Sequence, residues 1–364
     1  MKILILCLSE GRGGLELYIA KMVSYFEQTD IPVTICIKQA TYLDDLLSNQ
    51  SGKKVYLEKK FIYLPILCAV KLAKLIDQRG INYLFINWGA DLPLAALAKV
   101  MSKRQPKLIY ARHMKITRPK RDIYHRWVYS KVDLLLTITE QLRLEALRYL
   151  PLSEDQVKNC YLGADNPPLH PVNCQQKLQE LGLANTGFHV ALFGRIEHEK
   201  GQHILIEAIT ILKQRHILIQ VAIIGHVMDT DYHKRLQQSI NQNGLDEQIS
   251  LVSFVDMPMA IMPCFEAVVL TTYEETFGLV LVEAMRCGVA VIGTCAGGVK
   301  EIIDDSVSGL MFEPGNSEQL ANCLQSLFED KNMRKELAYA GKIKADKMFD
   351  QDIHFKQLIR IIFE

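Results

Sequence analysis

The sequence predicts an α/β protein built from two doubly wound, Rossmann-like domains. Strand-like runs alternate with helical stretches along the chain, and the runs are almost continuously apolar, as in parallel strands that helices cover on both faces. A proline-rich break at 163–173 interrupts the alternation, which then restarts. Because such sheets bind ligands at the carboxyl ends of their strands, we expect the two domains to face each other across a cleft.

The order of the elements sets the domain boundaries. The first half carries predicted strands at 2–8, 32–38, 83–87, 107–113 and 133–139, and predicted helices at 15–28, 64–80 and 93–103. The second half carries predicted strands at 189–194, 219–225, 249–255, 266–272 and 289–294, with helices between them. We therefore expect an N-terminal domain over 1–166, a C-terminal domain over 167–345, and a C-terminal helix over 346–364 that packs back on the N-terminal domain.

The composition is that of an ordinary globular chain. Of its 364 residues, 49% are hydrophobic and 23% are charged, enough to bury sizeable cores. No apolar stretch is long enough to span a bilayer, and the opening "MKILILCLSEGRGG" turns polar too early for a signal peptide. We expect a cytoplasmic protein, with peripheral attachment to the inner face of the cytoplasmic membrane left open. The nine scattered cysteines form no C-x-x-C pair, which favours reduced thiols over a disulfide framework or a zinc site.

Charge is divided unevenly along the chain. Residues 1–165 hold 25 Lys and Arg against 16 Asp and Glu, a balance of +9, whereas the remainder holds 17 against 25, a balance of −8. A split of this kind predicts different partners for the two halves, with an anionic partner on the first.

Two segments that follow predicted strands have the composition of phosphate-binding loops. The first, "SEGRGGLE" (9–16), has Gly11, Gly13 and Gly14, which let backbone amides approach a ligand at a helix N-terminus, although a plain glycine-rich turn explains it equally well. The second, "FGRIEHEKG" (193–201), places Arg195 and Lys200 where two cations could clamp a diphosphate, the alternative being two solvated surface charges.

The segment "EETFGLVLVEAM" (274–285) places two carboxylates around a predicted helix start near Phe277 and Gly278. Glu275 lies in the loop before the helix and Glu283 lies one to two turns into it. Two carboxylates so spaced can accept hydrogen bonds from different hydroxyls of one polyhydroxylated ligand. The alternative is that Glu275 is a helix-start acid and that Glu283 pairs with a neighbouring arginine.

The spacing Glu275-x7-Glu283 and its surroundings resemble the signature of the retaining glycosyltransferases of family 4, which have the GT-B fold. The similarity extends over essentially the whole chain, through Gly13-Gly14-x-Glu16, Gly194-Arg195, Lys200-Gly201, Gly225, Gly297-Gly298, Pro314-Gly315 and the segment "YLGAD" at 161–165. The resemblance implies transfer of a hexose-type sugar from a nucleotide-diphosphate donor, with retention of anomeric configuration. It implies a UDP-sugar donor first and a GDP-sugar second.

The resemblance also implies a role for each matching residue. Glu283 would bind the ribose hydroxyls and Glu275 the donor sugar, while Arg195 and Lys200 would neutralise the leaving diphosphate and His113 would stand beside the anomeric centre. The implied catalytic residues are His113, Glu275, Arg195 and Lys200, and the implied donor-binding residues are Gly13, Gly14, Arg195, Lys200, Glu275, Thr276, Phe277, Gly278, Leu279, Val280 and Glu283. No metal and no cofactor is implied, since cations and helix dipoles replace them.

The chain departs from the family pattern around the nucleotide base. Ser253 stands where the family usually has glycine, and the loop after Gly225 is "HVMDTD" rather than glycine-rich, which leaves the base open. The "DTD" at 229–231 resembles a metal motif of another glycosyltransferase fold, and we interpret it as a chance match. Two rival enzymes are less well supported, a GT-B sugar-nucleotide epimerase and a phosphorylase, as is a sugar-nucleotide-binding protein without turnover.

A basic segment lies in the first half. Residues 103–126 hold nine Lys and Arg against one acid, Asp122. No nucleic-acid-binding module surrounds the segment, so we expect Arg118, Lys120 and Arg121 to bind an anionic glycolipid or membrane surface, or else to be part of a solvated face. The leading acceptor class is an envelope glycan such as lipopolysaccharide, and a small soluble acceptor is the alternative.

Overall fold

A computed structural model describes residues 1–48, 54–58, 65–169 and 172–364. Contacts divide the chain into an N-terminal unit, Met1–Tyr161 with Phe355–Glu364, and a C-terminal unit, Leu162–His354. Leu64 of the predicted helix at 64–80, and His170 and Pro171 of the predicted break, lie outside the described residues. The exact domain boundaries given above stay a prediction.

The N-terminal unit contains a parallel sheet of seven described strands. They are β1 (Ile3–Cys7), β2 (Val33–Ile37), β3 (Lys54–Tyr56), β4 (Tyr83–Ile86), β5 (Lys107–Arg112), β6 (Leu134–Thr137) and β7 (Val157–Asn159), in the spatial order β3-β2-β1-β4-β5-β6-β7. The helices between them are α1 (Gly14–Gln28), α2 (Tyr42–Leu46), α3 (Ile66–Arg79), α4 (Leu92–Met101), α5 (Ile123–Tyr129) and α6 (Glu140–Tyr149). Every residue of β1 and β2 is buried, as expected for strands with helices on both faces.

The C-terminal unit contains a second parallel sheet, of six described strands. They are β8 (Phe188–Phe193), β9 (Ile219–Ile224), β10 (Ile249–Val252), β11 (Ala267–Leu270), β12 (Ala290–Thr294) and β13 (Leu310–Phe312), in the order β10-β9-β8-β11-β12-β13. Its helices are α7 (Cys174–Glu180), α8 (Gln202–Gln214), α9 (Thr230–Gln242), α10 (Pro258–Ile261), α11 (Leu279–Arg286), α12 (Val299–Ile302), α13 (Ser317–Glu329) and α14 (Lys331–Met348). The predicted class, two doubly wound parallel sheets, is confirmed.

The last helix, α15 (Gln351–Phe363), contributes to the core of the N-terminal unit. Phe355 and Leu358 are each 1% exposed and pack in the same apolar cluster as β1 and α1. The ring of Phe355 stacks on Tyr25 of α1 at a centroid distance of 4.8 Å. Burial of these side chains explains why the chain's final apolar residues fold onto the first domain.

The prediction that all nine cysteines are reduced thiols is wrong for two of them. Cys174, at the start of α7, forms a disulfide with Cys264, which precedes β11, with their Cα atoms 5.1 Å apart. The two residues are 90 positions apart in sequence, so a search for short cysteine spacings does not find them. No disulfide joins the other seven cysteines, all of which lie in the described part of the chain.

Candidate functional site

The site in the C-terminal unit forms where the direction of strand addition reverses. The chain passes from β8 outward through β9 and β10, and returns to place β11 on the other side of β8. Loops that leave the carboxyl ends of β8 and β11 therefore diverge and leave a crevice, the usual ligand site of such sheets. The loop after β8 carries Arg195 and Lys200, and the loop after β11 carries Glu275.

The Lys200 loop is anchored to the end of β11. The Thr271 hydroxyl donates to the carbonyl of Lys200 at 2.8 Å, and the Thr272 hydroxyl donates to the carbonyl of Glu199 at 3.1 Å. Gly201 follows with φ +68°, and a Cβ there would lie 2.3 Å from the Thr271 carbonyl oxygen. Only glycine fits this close approach, which explains the Lys-Gly pair that the sequence shows.

A second glycine pair fixes the Glu275 loop. The Gly298 amide donates to the Glu275 carbonyl at 2.9 Å. Gly297 has φ +56°, and a Cβ on it would lie 1.9 Å from that same oxygen. The loop after β12 thus holds Glu275 by its backbone and leaves its side chain to turn toward Lys200.

The charged groups at this crevice are paired but accessible. Lys200 Nζ lies 3.0 Å from Glu275 Oε2, with the two side chains 22% and 20% exposed. Arg195 is more open, 57% exposed, and its Nη2 lies 2.8 Å from Glu197 Oε1. Lys200 is therefore the better positioned of the two cations.

Helix α11 directs its first turn to the same end of the sheet. Gly278 precedes it with φ +101°, and among the described residues no side chain caps its N-terminus. Phe277 is buried, with its ring edge-on to Phe349 at 5.8 Å, and Leu279 and Val280 are half-buried. A helix start without a side-chain cap offers amide donors and a positive dipole end to an anion.

Glu283 is half-buried on α11. Burial, followed by the charge of Glu283, raises the pKa of the Cys287 thiol to about 12. The helix ends in Arg286, which is 3% exposed and donates to the Asp165 carbonyl at 3.0 Å and to Asp350 Oδ2 at 2.8 Å. Arg286 holds the C-terminal end of α11 in place, a role that no sequence motif predicts.

A set of aromatic contacts that the sequence does not predict connects α8 to the Glu275 loop. His203 Nδ1 lies 2.8 Å from the Tyr232 hydroxyl, and its Nε2 lies 3.1 Å from the Tyr273 hydroxyl. The ring of His198 stacks on His203 with centroids 5.0 Å apart. Burial, and then the neighbouring His198, lower the pKa of His203. No motif signals this link, because it joins residues 70 positions apart.

A cavity of about 200 Å³ lies at the carboxyl ends of β9 and β10. Ser253 and Gly225 line it, and the rings of His226 and Phe254 stack at a centroid distance of 4.2 Å on its wall. A Cβ on Gly225 would lie 1.9 Å from the Gly194 carbonyl oxygen, so the two loops meet through glycine.

The glycine-rich loop of the N-terminal unit is closed by a carboxylate. Glu16, 3% exposed, accepts from the Ser9 hydroxyl at 2.6 Å and from the Gly13 amide at 3.0 Å. The amide of Gly13 is thus engaged, whereas a Cβ built on Gly14 would point into open space away from its own helix and chain neighbours. Asp91, fully buried, accepts from the Leu8 amide at 2.8 Å.

His113 directly follows β5. Its Nε2 lies 3.3 Å from Nδ2 of Asn87, at the end of β4, and the Tyr18 ring packs edge-on to it at 4.8 Å. These contacts fix the plane of the imidazole within the N-terminal unit.

The three predicted acceptor-side cations differ in their surroundings. Arg118 is exposed. Lys120 is half-buried, and burial, then Arg112, then Arg118 lower its pKa. Arg121 donates from Nη2 to the Arg148 carbonyl at 2.8 Å, at the end of α6, and so helps to cap that helix.

Two further findings concern metals and membranes. The described residues contain no group of three or more His, Cys, Asp or Glu able to hold a metal ion. Asp229 of the "DTD" segment is a helix cap, since its Oδ1 accepts from the amides of Asp231 at 3.0 Å and Tyr232 at 2.9 Å. Every helix in the described ranges is too short or too polar to cross a membrane.

Comparison with known proteins assigns the family. The profile described as "Glycosyl transferases group 1" matches residues 175–344, which include Lys200, Glu275 and Glu283. Residues 175–344 thus form a group 1 glycosyl transferase domain. Within this family, the chain resembles a D-inositol 3-phosphate glycosyltransferase of Arthrobacter sp. (strain FB24), 27% identical over 71% of this chain and 61% of that protein. The match thus spans less than two thirds of that relative's length.

A second relative and a solved structure are similar to more of the chain. An N-acetylgalactosamine-N,N'-diacetylbacillosaminyl-diphospho-undecaprenol 4-alpha-N-acetylgalactosaminyltransferase of Campylobacter jejuni is 25% identical over 80% of this chain and 79% of that protein. The crystal structure of Anabaena HepE in complex with UDP superposes with a TM-score of 0.86 at 23% identity, over 100% of this chain and 99% of that chain. The predicted GT-B fold class is confirmed.

Proposed function

We propose that the protein is a retaining glycosyltransferase that moves a hexose-type sugar from a nucleotide diphosphate to an envelope glycan or glycolipid, such as a lipopolysaccharide. The observation that carries this proposal is the meeting of Lys200, Glu275 and the uncapped start of α11 at the switch point of one sheet. A cation, a carboxylate and a row of amides are the groups that a sugar diphosphate requires.

The proposed role of these groups is to stabilise the leaving diphosphate. Transfer breaks the bond between the anomeric carbon and the diphosphate oxygen and forms a bond from that carbon to an acceptor hydroxyl oxygen, whose proton passes to the leaving diphosphate. Negative charge therefore grows on the diphosphate as the bond breaks. Lys200 and Arg195, with the amides of Leu279 and Val280, are the proposed donors to that charge. Glu275, freed from Lys200 as the diphosphate arrives, accepts hydrogen bonds from the donor sugar.

His113 is the proposed group on the acceptor side of the reaction. Asn87 and Tyr18 hold its ring, and a fixed imidazole is suited to contact a sugar whose anomeric carbon becomes cationic. The family resemblance supports this assignment. Replacement of His113 by alanine should reduce turnover more than nucleotide affinity, because most of the proposed donor-binding groups lie in the C-terminal unit.

The nucleotide base is the least determined part of the donor. The cavity beside His226 and Phe254 is its proposed place, since an aromatic face next to a glycine-lined loop suits a flat ring. The Anabaena protein of the same fold was crystallised with UDP, which favours a UDP-sugar here over a GDP-sugar.

The proposed acceptor side lies on the basic segment of the N-terminal unit. Ile123 is 89% exposed and Trp127 is 39% exposed, and their spacing of four residues places them on one face of α5. Exposed apolar groups that follow basic residues such as Arg118 in the sequence are a combination that attaches proteins to anionic membranes. The Campylobacter relative's name specifies a lipid-linked acceptor, which favours this class.

The first experiment measures thermal stabilisation by UDP, GDP and their hexose conjugates, followed by transfer assays with the best donor. We expect a UDP-hexose to give the largest rise in Tm and to turn over. Absence of stabilisation by every nucleotide would contradict a donor site. Stabilisation without hydrolysis or transfer would identify the rival, a binding protein without turnover.

The second experiment tests the membrane. The variant Ile123→Ser with Trp127→Ser should bind vesicles of phosphatidylglycerol and phosphatidylcholine at least tenfold more weakly than wild type. The control is Leu218→Ser, which removes a 61% exposed apolar side chain from the other unit. Equal binding by both variants would leave a small soluble acceptor as the better proposal.

A further inference from the structure

Arg112 is a buried cation whose guanidinium is only partly satisfied. It is 9% exposed at the end of β5, directly before His113. Nη1 donates to the Tyr110 hydroxyl at 2.9 Å and Nη2 donates to the Lys115 carbonyl at 2.7 Å. Its Nε, also buried, has no hydrogen-bond partner among the described residues. A buried donor of this kind is costly unless an acceptor reaches it.

Lys120 lies close enough to Arg112 and to Arg118 for both charges to act on it. Lys120 is half-buried, and the charges of Arg112 and Arg118 add to burial in lowering its pKa. The Lys120 amide donates to the Tyr149 carbonyl at 2.9 Å, which anchors the loop after β5 to the end of α6. These cations are therefore held together by the fold despite their mutual repulsion.

Two carboxylates of the same unit accept hydrogen bonds from backbone amides. Asp91 accepts from the Leu8 amide at 2.8 Å, and Glu145 Oε2 accepts from the Ile116 amide at 3.3 Å. The partners of the Arg112 guanidinium among the described residues are a hydroxyl and a carbonyl, not a carboxylate. Three cations, one of them with an unsatisfied buried N–H, are suited to bind an anion.

We propose that Arg112, Arg118 and Lys120 bind a phosphate group of the acceptor. The ligand class is a phosphorylated acceptor, either a soluble polyol or sugar phosphate or the phosphate of a lipid-linked glycan. The assignment rests on the proposed glycosyl transfer, and it adds that the acceptor's phosphate is held beside the strand end that carries His113. A neutral acceptor would give these cations no partner.

The test uses inorganic phosphate and the full chain. The donor site would also bind phosphate, so titrations are made in an Arg195→Gln, Lys200→Gln background at constant ionic strength. Adding Lys120→Gln or Arg118→Gln should weaken phosphate binding at least tenfold. Lys103→Gln, which removes an exposed cation from the other end of the basic segment, should change it less than twofold.

Arg112 needs a variant that keeps its charge. Arg112→Lys preserves the cation but removes the guanidinium N–H donors, so it should bind phosphate several-fold more weakly, and its Tm shows whether the variant is folded. If Lys103→Gln lost as much phosphate affinity as Lys120→Gln, binding would depend on overall charge and not on a specific site. If Lys120→Gln lost no affinity, there would be no site at Lys120. Nucleotide stabilisation of the wild type is a separate measurement, so failure here and failure of the donor site are distinguishable.

A vesicle arm distinguishes the two sources of phosphate. Competition of phosphatidic acid vesicles with inorganic phosphate for the Lys120-dependent site identifies a lipid phosphate. Competition by inositol phosphate but not by these vesicles identifies a soluble acceptor. The assignment is rejected if neither the vesicles nor inositol phosphate competes with inorganic phosphate and if Lys120→Gln changes the binding of neither.

Discussion

The two sheets share the same switch-point topology but treat the polar groups there in opposite ways. In the N-terminal unit, the buried carboxylates of Glu16 and Asp91 accept the hydrogen bonds of the loop after β1. In the C-terminal unit, Lys200 and the uncapped start of α11 remain accessible at the corresponding edge. A glycine-rich turn after a strand therefore does not by itself indicate a phosphate site, because an acid three residues along can use the same amides.

The largest effect is expected at the cation of the C-terminal unit. Lys200→Gln removes the charge nearest to Glu275 and should lower kcat/KM by about 100-fold, the usual cost of removing one preorganised donor to a developing charge. Arg195→Gln, at a more exposed position, should cost less. Steady-state kinetics on both variants, with Tm as a folding control, decides the matter. If Lys200→Gln had wild-type kinetics, Lys200 would not stabilise the leaving diphosphate.

The matching change in the N-terminal unit should act on stability. Glu16→Ala leaves the Ser9 hydroxyl and the Gly13 amide without their acceptor, so the free energy of unfolding should fall by about 2 kcal/mol. Nucleotide affinity should stay within about twofold of wild type, since the carboxylate closes a loop rather than binding the donor. Denaturant unfolding and calorimetry measure the two quantities. Lost nucleotide affinity at unchanged stability would show that the two loops have the same role after all.

A smaller effect is expected at Glu283. Glu283→Gln replaces a charged acceptor by a neutral one, and hydrogen bonds to ribose hydroxyls should weaken enough to reduce nucleotide affinity by about tenfold. Glu247→Gln, which alters an exposed glutamate in the same unit, is the matched control. Calorimetric titration with the nucleotide that stabilises the protein best is the measurement. An unchanged Kd in the folded variant would exclude the ribose role.

Local patterns predicted most of the fold. The apolar runs that become β1, β2 and β8 to β12 are long and continuous, and their ends differ from the prediction by only a few residues. Three short strands, β3, β7 and β13, were not predicted, because three residues carry too little periodicity to stand out from a loop. They are strands because a neighbouring strand pairs with them.

The candidate site was only partly accessible from sequence. Lys200, Glu275 and Glu283 stand in motifs that local spacing brings out, and the glycines that hold them follow from the same motifs. Arg112, Arg286 and the contact of His203 with Tyr273 depend on side chains meeting from distant positions. Such encounters leave no spacing signal, as the Cys174–Cys264 disulfide also demonstrates.

The smallest effect is expected from removing metals. If Lys200, Arg195 and the α11 amides stabilise the diphosphate, transfer in excess EDTA should stay within about twofold of the untreated rate. Both aspartates of the metal-like motif "DTD" have other partners. Asp229 caps α9, and Oδ1 of Asp231 lies 3.6 Å from Nζ of Lys234. Added magnesium or manganese should not raise the rate, and Asp229→Ser, which retains a capping side chain, should leave it unchanged. Loss of transfer in EDTA that manganese restores in wild type but not in Asp229→Ser would assign the leaving-group charge to a metal. Lys200 and Arg195 would then have a structural role, like Glu16 and Asp91 in the N-terminal unit.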